Sequence, residues 1–78
     1  MNKQSNATIR DRYEIGDAVL EELVETSQTQ SGAFELAARY ARRRGRSIDV
    51  YDRMAKHGDV REWSVQPDGH AIAGQVKR

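Results

Sequence analysis

Arg42-Arg43-Arg44-Gly45-Arg46, with Arg39 one helical turn earlier, is the densest chemistry in the chain. Four guanidiniums within five residues can lie across a phosphate backbone, each neutralised phosphate releasing counterions. Equally, they can clamp the carboxylates of a protein partner as bidentate forks. The plainest role is a solvated helix end whose positive charge complements the helix dipole. An acidic counterpart precedes it. On a helical reading Asp17, Glu21, Glu22 and Glu25 gather on one side with Asp11 and Glu14, a face suited to a basic protein groove or to standing in for phosphates in a nucleic-acid channel.

Catalytic chemistry is not indicated. His57 and His70 fall at turn edges without the His-x-x-x-His or Glu-x-x-His spacing of a metal site, and cysteine is absent, so thiolate ligands and disulfides are excluded. Ser47 and Ser64 lack a glycine-flanked elbow, and Gly45-Arg46-Ser47 is neither a Walker loop nor a dinucleotide fingerprint. Acid pairs such as Glu21 and Glu25 read as solvated charges, not a proton-transfer dyad. No catalytic residue, metal or cofactor is expected, and a chain this small has little surface with which to enclose a substrate.

At 78 residues the chain is read as a leader, residues 1–7, expected to be disordered, followed by a single small domain, residues 8–78. No apolar run follows Lys3 and none is long enough to cross a bilayer. With cysteine absent, a soluble cytoplasmic protein is expected. Asn6-Ala7-Thr8 matches a glycosylation acceptor, but without a secretory signal the match is accidental. The net charge of +1 conceals a division, residues 1–40 carrying −3 and residues 41–78 carrying +4.

The elements expected to position these charges begin with a helix from Thr8 to about Thr26, with Ile9, Tyr13, Gly16, Leu20, Leu23 and Val24 on one stripe. Ile15 falls outside that stripe, and Gly16 implies a closely packed neighbour. Residues 26–32 read as a connection, with Ser31 as N-cap. A second helix follows over 32–44, its inward face formed by Ala33, Phe34, Leu36, Ala37, Tyr40 and Ala41 and its end closed by Gly45. Ser47 to Ala55 fits a strand or a third helix, and the strand is preferred because it follows a C-cap directly. Val60 to Val65 and His70 to Val76 read as strands joined by a turn at Gln66-Pro67-Asp68-Gly69. Trp63, Tyr13, Tyr40 and Tyr51 are expected in the core.

The expected fold class is therefore α+β, two antiparallel helices packed on a small three-stranded antiparallel β-meander. The alternative is three helices plus a β-hairpin wing, resembling winged-helix proteins in element order only. The first fold suits a small non-enzymatic binding protein that occludes a partner's surface, an accessory or inhibitor protein of phage or mobile-element type acting on a nucleic-acid-binding machine. The second suits a DNA-binding regulator that sets Arg42 to Arg46 on phosphates. Against it stand Asp49 and Asp52 in the candidate recognition helix. A protein partner is thus favoured over nucleic acid, with the chain as a monomer or a homodimer.

Overall fold

The computed structural model describes residues 11–74. The expected leader, the start of the first expected helix and the end of the last expected strand lie outside them. Five strands and one helix are found, in the order β1 Tyr13–Asp17, β2 Glu22–Ser27, α1 Gln30–Arg44, β3 Ile48–Asp52, β4 Glu62–Val65 and β5 Ala71–Ala73. The strands form one antiparallel sheet ordered β2-β1-β3-β4-β5, and α1 packs on one of its faces.

Neither two helices on a three-stranded meander nor three helices with a wing describes this fold. The first expected helix is a β-hairpin. Residues 13–17 alternate with a period of two: Tyr13, Ile15 and Asp17 point under α1, and Glu14 and Gly16 point away. Ile15, the misfit on the helical wheel, is fully buried, whereas Leu20 and Leu23 of the supposed apolar stripe are more than half exposed. Asp17 turns the chain, its Oδ1 accepting the Val19 and Leu20 amides, and Glu21 takes a left-handed φ of 53°. Pairing of Ile15 with Glu25 but Gly16 with Leu23 leaves Val24 as an extra residue, a β-bulge that bends the edge strand.

The remaining elements follow their local signals. In α1, Ala33, Ala37 and Ala41 are fully buried, joined by Ala38, and side chains this small let the helix sit close on the sheet. Phe34, Leu36 and Tyr40 flank that seam, half-buried. Gly45 ends α1 at φ 69°, its amide bonded to the Ala41 carbonyl. Residues 48–52 form a strand, as preferred, with Ile48, Val50 and Asp52 under the helix; Met54, two residues beyond its end, is exposed. At the last hairpin, Gly69 takes φ 92° and donates to the Gln66 carbonyl, and the Gln66 amide donates to the His70 carbonyl. Trp63 packs edge-on against Phe34 with ring centroids 5.3 Å apart, while Tyr51 points to the opposite side of the sheet, exposed.

The N-cap is Thr29, two residues before the expected Ser31. Its hydroxyl accepts the Gly32 amide at 3.1 Å, and its extended backbone at φ −121° is the cap conformation. Thr29→Ala is therefore expected to lower the unfolding free energy by about 1 kcal/mol, and Ser31→Ala to change it by less than about 0.5 kcal/mol, as read from chemical denaturation midpoints.

Candidate functional site: the uncovered face of the sheet

The arginine cluster is divided by the fold. Gly45 turns the chain left-handed between Arg44 and Arg46, and both side chains reach the buried Asp17. Arg46 forks onto it through Nε at 3.2 Å and Nη2 at 2.6 Å, and Arg44 Nη1 donates at 2.7 Å while also reaching Glu22 at 3.4 Å. These two guanidiniums are spent on the structure. Arg39 lies 3.8 Å from Glu35, one helical turn away; Arg43 lies over the Tyr40 ring at 5.6 Å; Arg42 is exposed. What remains for a ligand on α1 is a sparse row of three, not a cluster of five.

The four carboxylates expected on one acidic helix face are likewise dispersed by the hairpin. Asp17 is enclosed by Arg44 and Arg46, Glu22 approaches Arg44, and Glu25 accepts the Tyr40 hydroxyl at 2.9 Å. Only Glu21, at the turn, stands apart from α1. A second buried carboxylate, Asp52, is held by the Arg12 fork at 2.7 and 2.9 Å and by the Met54 amide.

A different acidic surface emerges on the face that α1 does not cover. Cross-strand partners share a face, so two rows can be traced across the sheet: Leu23, Gly16, Asp49, Ser64 and Ile72, and beside it Thr26, Glu14, Tyr51 and Glu62. Glu14, Asp49 and Glu62 thus share this face with the exposed Leu23, Tyr51 and Ile72. At its bulged end lies a cleft of about 280 Å³ whose floor is Gly16, walled by Leu23, Tyr51 and the carboxylate-bearing Glu14, Asp49 and Glu21. Gly16 has no tightly packed neighbour. A Cβ added there would meet only the Glu22 carbonyl at 3.4 Å, an ordinary contact, so the missing side chain is what leaves the hollow.

Electrostatics separates the two kinds of carboxylate. The Arg46 and Arg44 hydrogen bonds hold Asp17 well below the usual carboxylate range despite its burial, and the Arg12 fork lowers Asp52 in the same way. Asp49 moves the opposite way. Burial raises it first and the Glu62 charge second, while a hydrogen bond from Ser64 opposes them. Glu14 has Arg53 at 3.7 Å, but among the described residues no cation is within ion-pairing distance of Asp49 or Glu62. Nor, among the described residues, do three or more acids or histidines converge as a metal site would require.

Reasoning from the linear chain missed this surface because its acids come from three strands distant in sequence. The signal that could have found it was the alternation Tyr13-Glu14-Ile15-Gly16-Asp17, repeated in Ile48-Asp49-Val50-Tyr51-Asp52. No protein-family model matches the chain, and no curated protein or solved structure is detectably similar to it. No helix among the described residues is long and apolar enough to cross a membrane.

Asp17→Asn removes the buried carboxylate that Arg44 and Arg46 share, leaving Arg44 only Glu22 at 3.4 Å, and the melting temperature should fall by at least about 10 °C. Because Asp17 and Asp52 titrate lower in the folded than in the unfolded chain, their contribution is complete above the unfolded value of about 3.9 and is lost as pH falls below it toward the folded values. Denaturant midpoints taken from pH 7 to pH 3 should drop steeply below about pH 4 for the native chain and less steeply for the variant. Asp49 has the reverse sign: a raised folded value makes its ionised form a cost at neutral pH that is relieved on acidification. Asp49→Asn should therefore raise the midpoint at pH 7 and lose that advantage toward pH 4.

Proposed function

We propose that this chain is a small non-enzymatic binding protein that works by covering a partner protein's surface with the uncovered face of its sheet. The observation that carries this reading is the composition of that face. Leu23, Tyr51 and Ile72 are exposed on it, next to Asp49 and Glu62, which have no cation within ion-pairing distance among the described residues, and to Glu14, which Arg53 approaches at 3.7 Å. Apolar side chains rimmed by charge are the usual make-up of a protein-docking surface. A sheet with one face packed and one face solvated would ordinarily carry polar residues there throughout.

The division of the arginines supports a protein partner over nucleic acid. Arg44 and Arg46 are turned inward, and the sheet face repels phosphates. An accessory or inhibitor role on a nucleic-acid-processing assembly accords with this surface, since such assemblies present basic channels that an acidic face complements.

The test is capture from an extract of the protein's native cells by three immobilised chains: the native one, a triple variant Leu23→Ser, Tyr51→Ser and Ile72→Ser, and a triple variant Arg39→Gln, Arg42→Gln and Arg43→Gln. The expected result is a protein retained by the native chain and by the arginine variant at 150 mM salt, about the physiological ionic strength, and lost from the sheet variant. Retention lost only from the arginine variant, or salt-sensitive retention of duplex DNA, would overturn the reading.

A further inference from the structure

Resting on that docking reading, a more specific assignment concerns the cleft at the bulged end of the uncovered face. We infer that it receives an arginine side chain of a basic polypeptide partner, the stem lying over Gly16 between Leu23 and Tyr51 and the guanidinium facing Asp49 and Glu14. At about 280 Å³ the cleft lies just under the roughly 300 Å³ at which pockets for whole small molecules begin, a size suited to one long side chain. Its walls combine apolar surface with carboxylates, the pairing that a side chain with an aliphatic stem and a cationic head requires.

The chemistry of the occupant follows by complementarity. A metal ion lacks converging ligands among the described residues. A second copy docked symmetrically through the same face would set Glu14, Asp49 and Glu62 against themselves. Nucleic acid would meet the same repulsion. A guanidinium instead offers a planar fork that can engage Asp49 and Glu14 together while stacking on the exposed Tyr51 ring. The central strand supplies a second argument. Asp49 lies on this strand paired between Gly16 and Ser64, in a row whose ends are Leu23 and Ile72, where an uncharged side chain would serve the fold better. An arriving cation gives that carboxylate the counter-charge it lacks among the described residues.

The test uses the full chain and a defined probe, N-acetyl-arginine N-methylamide, followed by amide chemical shifts, with the uncharged citrulline analogue as control. Saturable shifts are expected at Gly16, Leu23, Asp49 and Tyr51, with a dissociation constant on the order of 1 mM. Binding should weaken about tenfold or more for citrulline and in Asp49→Asn. Gly16→Ala, which the backbone accommodates, should weaken it by filling the floor. Shifts equal for the two probes, spread instead over the exposed Asp59 and Asp68 loops, or absent would overturn the assignment. If the sheet variant still lost its captured partner, that failure would leave the docking reading standing and remove only the arginine cleft. Shifts at these amides on raising the protein's own concentration, with Arg39, Arg42 and Arg43 moving in step, would identify a second copy as the occupant and overturn a separate partner.

Discussion

One buried carboxylate ties the structure together. Asp17 ends β1, closes the turn to β2 by accepting two backbone amides, and receives Arg44 from the last turn of α1 and Arg46 from the segment entering β3. Four consecutive parts of the chain are thereby referred to one side chain. The need for it is visible in the core, where Ile15, Ile48, Val50 and Val65 are the large apolar side chains buried completely and the helix contributes alanines. So small a core cannot by itself dictate where the C-terminal end of α1 rests. A charge that must be neutralised where it is buried fixes that position. Gly45 completes the arrangement, because its left-handed turn sends the residues on either side of it toward the same acceptor.

This economy determines which charges are left for the outside. Arg12 with Asp52, Arg44 with Asp17 and Glu22, and Arg46 with Asp17 are all pairs between elements. After these are taken, the cations of α1 that face solvent are Arg39, Arg42 and Arg43, and the carboxylates on the far side of the sheet are Glu14, Asp49 and Glu62. The solvent-facing charges are thus divided through the layer, with Arg39, Arg42 and Arg43 on the helix and Glu14, Asp49 and Glu62 on the opposite sheet face, a division that does not follow the one along the chain. Two of the five arginines of the apparent site, Arg44 and Arg46, are structural charge, a distinction that density in sequence does not carry.

What could be read from the chain depended on how local the signal was. The alanine seam of α1, its glycine cap and the Pro67-Asp68-Gly69 turn are specified by neighbours within a few residues, and they lie where expected. Residues 13–27 carry two periodicities at once, since Tyr13, Gly16, Leu20 and Leu23 satisfy a helical wheel while Tyr13, Ile15 and Asp17 satisfy a strand. The helical pattern was broken at Ile15 and weakened by the helix cost of Gly16, and the strand places the first in the core and the second at the floor of a cleft. The choice is made by tertiary pairing with β3, which no local window contains. The same reason hides the site. Asp49 and Glu14 are 35 positions apart in the chain and reach the cleft only because β1 and β3 are hydrogen-bonded neighbours.

The uncovered face then poses a question of consistency. Elsewhere the chain pairs its costly charges, and each side-chain oxygen or nitrogen that is buried among the described residues has a hydrogen-bond partner. On this face it keeps an acid whose charged form is disfavoured by burial and by a like-charged neighbour, on a central strand whose other side holds Ile48 and Val50. Local rules broken without compensation inside a fold are where function is to be sought, because the missing compensation can come from a ligand. Asp49 differs from Asp17 in this respect. Both are carboxylates on strands of the same sheet, but the counter-charge of Asp17 comes from its own chain, and the geometry around Asp49 leaves an open cleft where a counter-charge from another molecule fits.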